Sequence, residues 1–223
     1  MFTPASSADW PRRDHFRYYR EALPCGYSVT VRLDVTEFRT AVQGAGLPFN
    51  AAFVWHVSQM ITKVPEMRMG MDSEGNPGFY DVLHPVYTIF HKDDHTFSDL
   101  WTYHDPSLTA FCRQVKEDQR TYGQQKGHNV REGMPQGFYC ISCVPWLDFT
   151  GYATFLTGGR QANLFPVITY GKYTEKDGRW ELPFSINISH AAADGWHVSQ
   201  FVHLLQESLR AVTLPVEGEG EPS

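Results

Sequence analysis

The residues best placed to do chemistry in this sequence are His190 and Asp194, within Ser189-His190-Ala191-Ala192-Ala193-Asp194-Gly195-Trp196. A neutral imidazole titrates near neutrality and can take a proton from a hydroxyl or a thiol. The β-like run Phe184-Ser185-Ile186-Asn187-Ile188 leads into His190, so a strand end holds its backbone, and the three alanines read as room for something to approach the ring. Asp194 falls at the expected N-terminus of the last helix, where the helix dipole favours a carboxylate. It either orients the imidazole or pairs with a remote Arg to pin the loop. By spacing alone, a structural histidine followed by an aspartate N-cap fits equally well.

Ser142 is the second candidate. In a strand over 138–144 it shares a face with Cys140 and Val144, where its hydroxyl could donate into a cleft; the alternative is a half-buried serine satisfied by backbone. The same alternation puts Cys140 and Cys143 on opposite faces, against a redox C-x-x-C pair, which prefers a helix N-terminus. Two sets could ligate a metal. In His190, Asp194 and His197 the Asp-Gly turn interrupts the single helical face a metal needs, and His91, Asp93, Asp94, His95 and His104 read as a solvated hairpin loop. Neither is expected to hold an ion. The chain has no G-x-S-x-G elbow, no Walker-type loop and no G-x-G-x-x-G; Gly158-Gly159-Arg160 reads as a turn.

The elements that must position these residues follow from periodicity. Asp9 is expected to cap a first helix through Tyr19, broken by Leu23-Pro24-Cys25-Gly26. Residues 27–35 alternate as a strand, with helices at 36–43 and from Pro48 to before Pro65. A hairpin is expected over 67–71 and 79–82, and further strands at 86–91 and 96–103. Asp105-Pro106 opens a helix to Tyr122. Strands at 166–173 and 180–188 flank Lys176-Asp177-Gly178, a turn signal. Val198, Phe201, Val202, Leu205, Leu209 and Val212 share one face of the last helix. The expected fold class is α/β, a two-layer α/β sandwich with a mixed sheet. Residues 1–213 read as a single domain and 214–223 as a disordered tail.

Composition narrows the function. With 223 residues and 42% hydrophobic content the chain can bury a sizeable core. A net charge of −6 argues against a nucleic-acid partner. No run approaches the ~18 apolar residues of a membrane span. Four scattered cysteines do not make a disulfide scaffold, and no secretory signal is visible, so a reduced cytoplasm is expected.

His190-Ala191-Ala192-Ala193-Asp194-Gly195 matches the H-x-x-x-D-G signature of CoA-dependent acyltransferases. Trp10-Pro11-Arg12-Arg13-Asp14-His15-Phe16, Leu23-Pro24-Cys25-Gly26, Phe90-His91, Thr96-Phe97-Ser98, Pro145-Trp146 and Gly171-Lys172-Tyr173 follow in the order and spacing of the type A chloramphenicol acetyltransferases. The chain resembles that family from about Trp10 to Leu209. The resemblance implies a homotrimer with active sites at the subunit interfaces, acetyl-CoA as co-substrate and chloramphenicol as acceptor, with no metal. It implies His190 as general base, Ser142 as oxyanion donor, and Asp194 with Arg12 as a buried ion pair supporting the loop. It further implies Tyr19, Leu23, Cys25, Phe97, Tyr152 and Ile168 as acceptor pocket, Thr169 as a contact through water, and Lys172 and Tyr173 at the nucleotide end of CoA.

Three departures stand out. Ser189 replaces the usual first histidine of a His-His pair, Asp99 replaces a small apolar residue of the acceptor pocket, and the segment between Gly123 and Phe138 is short. The alternatives are a related acyltransferase with another hydroxyl or thiol acceptor, and a noncatalytic trimer that binds a hydrophobic ligand. A dihydrolipoyl acyltransferase core is disfavoured, because no lipoyl-bearing domain is seen. A peptide-synthetase condensation domain would need about twice the length.

Overall fold

Alternating apolar residues build the central sheet. The structure, a computed structural model, describes residues 1–5, 9–155 and 163–212. The strands are β1 (Phe2–Pro4), β2 (Gly26–Asp34), β3 (Met69–Met71), β4 (Pro77–Tyr80), β5 (His84–Phe90), β6 (Phe97–Trp101), β7 (Phe138–Val144), β8 (Val167–Gly171), β9 (Thr174–Lys176) and β10 (Arg179–Ser189). The helices are α1 (Arg13–Arg17), α2 (Thr36–Gly44), α3 (Phe49–Lys63), α4 (Leu108–Tyr122) and α5 (Gly195–Arg210). The main sheet runs β2-β10-β8-β7-β5-β6, with β9 on β10. It is mixed: β7 is parallel to both neighbours, β5 and β8, and the remaining pairs are antiparallel.

The period of two sorts the side chains. Tyr139 and Ile141, Ile168 and Tyr170, and Leu182, Phe184, Ile186 and Ile188 are buried against the helices. Phe53 of α3 meets Tyr170 and Phe184, and Phe201 of α5 meets Phe184. α3 has apolar side chains on most of its circumference and is correspondingly buried. The opposite face is polar. Thr30 pairs with Ser185, Ser185 with Thr169 and Thr169 with Ser142, so one row of hydroxyls crosses four strands. Segment 148–152 covers part of this row: the Ser28 and Ser185 hydroxyls both donate to the Tyr152 carbonyl at 2.7 Å.

Most expected elements form, with shifted ends. α1 starts at Arg13 with Arg12 before it, so Asp9 is not its cap. Five residues on, the chain switches to a π turn, Tyr18–Ala22, closed by Leu23 N–H on the Tyr18 carbonyl at 2.9 Å. α4 starts at Leu108, later than Asp105-Pro106 suggested, with Ser107 as its cap, whose hydroxyl accepts from Ala110 N–H. The strand expected over 166–173 ends at Gly171, where Lys172 N–H turns away to the Leu147 carbonyl at 2.8 Å. Asp177 and Gly178 both take positive φ, 51° and 78°, as a two-residue hairpin turn requires. β1 was not expected; it pairs with β4 to make a separate small sheet. The Gly158-Gly159-Arg160 turn and the tail lie outside the described residues. Among the described residues no helix is long and apolar enough to cross a membrane.

One buried network ties the 123–137 segment to the sheet. Asp118 accepts from Arg131, Thr102 and Gln114 at 2.7, 2.7 and 2.9 Å, and the Arg131 guanidinium lies 3.9 Å from the Trp101 ring centroid. Removing one member of such a set leaves a charge without its partner. Asp118→Ala is therefore expected to destabilise the fold by about 3 kcal/mol in urea denaturation, and a loss under ~1 kcal/mol would contradict the network's role.

Candidate active site

His190 lies just past the end of β10, in a turn built by the residue before it. The Ser189 hydroxyl accepts from Ala191 N–H, and the Ser189 carbonyl accepts from Ala192 and Ala193 N–H at 3.0 and 3.2 Å. That accounts for the serine locally: it closes the turn with its own side chain. The three alanines do not make room beside the ring, as the sequence suggested. They are 0–1% exposed and face the core, so their small size lets the turn sink inward.

The imidazole is held from several directions. His190 N–H donates to the Cys25 carbonyl at 3.0 Å. The ring stacks on Tyr19, 3.9 Å between centroids and 7° between planes, a contact the π turn delivers. Tyr27 leans on it at 5.1 Å and donates its hydroxyl to the Ala193 carbonyl. Nδ1 is buried 3.1 Å from Asp194 Oδ1, yet the two are not aligned for a hydrogen bond. The side chain is 31% exposed, and with Nδ1 enclosed the accessible part of the ring carries Nε2.

Of the two roles open to Asp194, the pairing with a remote Arg forms, while the imidazole lies close to it without a hydrogen bond. Its Oδ2 pairs with Arg12, which also donates to the His190 carbonyl at 3.2 Å. It caps α5 as well, in a capping box with His197, whose Nδ1 accepts the Asp194 N–H at 3.1 Å. Burial, together with the nearby Arg12 charge, lowers the His197 pKa and outweighs the pull of Glu66 and Asp194. Partial burial raises the Asp194 pKa, but the Arg12 hydrogen bond and charge, with His190 and His197, outweigh it and leave the carboxyl below its usual range.

Ser142 lies elsewhere. Its hydroxyl is 2.9 Å from Thr88 Oγ1, in a hollow of about 180 Å³ lined by Val86, Thr88, Asp99, Met134, Cys140 and Val167. Asp99 does face this hollow, and its Oδ2 is engaged by His128 at 2.7 Å. From Ser142 to His190 is two strand spacings across and five residues along, roughly 19 Å between Cα atoms. The two candidates do not meet within one chain.

The other expected residues divide between these places. Cys25 lines a hollow of about 250 Å³ with Tyr27, Asn163, Val167 and Asn187. Leu23 and Phe97 are half exposed. Thr169 is buried beside Ser142 in the hydroxyl row, and the Tyr152 carbonyl accepts the Ser28 and Ser185 hydroxyls. Ile168 has no exposed surface and belongs to the core, yet it borders the Ser142 hollow with half-buried Val167, which lines both hollows. Lys172 is exposed just past β8, and Tyr173 packs against Phe49 and Trp180. Of the two metal-ligand sets, His197 is used in the cap, while Asp93 and Asp94 pair with Lys126. Cys140 and Cys143 do fall in hollows on opposite faces, and all four cysteines are free. Thr88, Tyr27 and Val167 were missed; alternation alone put Thr88 and Ser142 on strand faces, but not on neighbouring strands.

A serine beside a threonine, and an imidazole stacked on a tyrosine next to an Arg–Asp pair, thus lie on one mixed sheet. The chloramphenicol acetyltransferase family model matches residues 1–206. Relatives named chloramphenicol acetyltransferase include one from Vibrio anguillarum, 35% identical, covering 91% of this chain and 92% of its own, and one from Streptomyces acrimycini, 34% identical, covering 92% and 93%. A solved chloramphenicol acetyltransferase superposes with TM-score 0.84 at 22% identity, over 94% of this chain and all of that one. A probable dihydrolipoamide acetyltransferase from Listeria monocytogenes shares the fold at TM-score 0.63 and 13% identity, covering 96% of this chain and 97% of that one. The chain belongs to the chloramphenicol acetyltransferase family and is an acyltransferase.

The Asp194 pKa gives a pH test. A carboxyl whose folded pKa is depressed stabilises above its unfolded value, and that contribution is lost as pH falls through the folded pKa. Asp194→Asn is expected to be less stable than the native chain at neutral pH, with the gap closing below about pH 4. Urea melts at both pH values would show it, and a gap independent of pH would remove the ion pair from the account.

Proposed function

We propose that this protein transfers an acetyl group from acetyl-CoA to the 3-hydroxyl of chloramphenicol in the cytoplasm, at sites formed between the subunits of a homotrimer. The observation that carries the reading is the His190 imidazole, fixed by Arg12, Asp194 and Tyr19 with only part of its ring accessible. The names of the relatives supply the acceptor.

The carboxylate beside Nδ1 favours the tautomer with the proton there, leaving Nε2 with the lone pair a base needs. Nε2 takes the proton of the acceptor hydroxyl as its oxygen bonds to the thioester carbonyl carbon. The carbonyl oxygen becomes an oxyanion, which the Ser142 hydroxyl stabilises by about 3 kcal/mol. Collapse breaks the C–S bond, and the imidazolium returns its proton to the CoA thiolate. No acyl-enzyme forms, and placing both substrates together provides much of the acceleration. Leu23, Cys25, Phe97, Tyr152 and Ile168 with Tyr19 would wall the acceptor pocket, joined by Val167. Thr169 would contact the intermediate through water, and Lys172 and Tyr173 would hold the nucleotide end of CoA.

The separation of roughly 19 Å between Ser142 and His190 favours sites made of two chains, because both must reach one reacting carbonyl. His190→Ala is expected to abolish chloramphenicol-dependent release of free CoA, read with a thiol reagent; release equal to the native protein would end the base assignment. Ser142→Ala is expected to lose about 100-fold in kcat. Subunit exchange between these two impaired variants should raise activity above either parent, since some mixed interfaces pair an intact His190 with an intact Ser142. If mixed oligomers form and remain no more active than the parents, the interface site is wrong.

A further inference from the structure

A serine hydroxyl stabilises an oxyanion only when its single proton points at it, and a free serine rotor has three staggered choices. Among the described residues the group hydrogen-bonded to the Ser142 hydroxyl is Thr88, at 2.9 Å and partly buried. Thr88 sits on β5, whose parallel ladder with β7 pairs Tyr87 with Ile141 one residue earlier, so backbone hydrogen bonds hold the two hydroxyls side by side. Its β-branched side chain has restricted χ1, which holds Oγ1 in place better than a serine would. The cross-strand partner of Thr88 is Asp99, a carboxylate that would compete for the Thr88 proton. The Asp99 carboxylate is instead hydrogen-bonded through Oδ2 to His128 Nδ1 at 2.7 Å, and no side-chain hydrogen bond joins it to the Thr88 hydroxyl.

We infer that Thr88 is the positioning residue of the oxyanion donor: its Oγ1–H donates to a lone pair of Ser142 Oγ and turns the Ser142 proton outward into the hollow. The donated bond also polarises the Ser142 O–H, so the pair acts as a two-hydroxyl relay whose far end meets the developing negative charge. No covalent bond changes. Thr88 touches neither substrate at the reacting atoms and acts through Ser142. The inference rests on the proposed role of Ser142.

The test compares Thr88→Val, which keeps the shape and loses the hydroxyl, with Thr88→Ser, which keeps the hydroxyl, each in the native and the Ser142→Ala background. Thr88→Val is expected to lower kcat about tenfold with both KM values within about twofold, the size of one hydrogen bond used in the transition state. Thr88→Ser should recover most of that loss. In the Ser142→Ala background Thr88→Val should cost nothing further, because the hydroxyl it orients is gone. An unchanged kcat for Thr88→Val, or an equal loss with and without Ser142, would overturn the inference while leaving the reaction intact. Native kcat in Ser142→Ala alone would overturn the oxyanion assignment and this inference together.

Discussion

The ion pair of Arg12 with Asp194 joins the first helix to the last, across 182 residues of chain. The turn that carries His190 is anchored by it. Arg12 also takes the His190 carbonyl, while Asp194 reaches Nδ1 and caps α5. One carboxylate thus ties the turn to the helix start, with its other oxygen 3.1 Å from the ring. Such a partly buried pair is weak evidence of net stability, since desolvation offsets much of the attraction. Its value is geometric. A histidine at a strand end would otherwise be free to swing, and Tyr19 stacked flat on the ring removes the remaining freedom.

The sheet imposes a second constraint, one of distance. Register fixes Ser142, Thr169 and Ser185 in one row, and His190 lies five residues beyond that row. No side-chain rotation closes a gap of roughly 19 Å. A rigid sheet that positions each partner well also keeps them apart. The polar face of the sheet carries the hydroxyl row and two hollows that share Val167.

Much of this was legible from the residues. Period-two runs gave β7 its bounds, and the Asp177-Gly178 turn follows from two positive φ values that few other residues tolerate. Helix ends were less legible. α4 starts at Leu108 with Ser107 as its cap, later than Asp105-Pro106 suggested, and the π turn at Tyr18–Ala22 has no periodic signature. The alanines after His190 were misread because small residues serve open clefts and tight cores equally, and only packing tells which; here they are buried. Ile168 and Val167 are neighbours that both border the Ser142 hollow. Alternation places them on opposite faces without saying which face is covered.

The sequence by itself determined the chemistry available: an imidazole at a strand end, a serine on a strand and an Arg and Asp able to pair, all carried by local propensity and residue type. The tertiary structure decided which of these groups share a place, because contact between distant segments is set by strand order and register, which no local pattern encodes. It gathered Arg12, Tyr19 and Asp194 around His190 and set Thr88 beside Ser142. It also held His190 and Ser142 apart, since the hydrogen-bonded ladders of β7, β8 and β10 permit only one alignment with the apolar face inward.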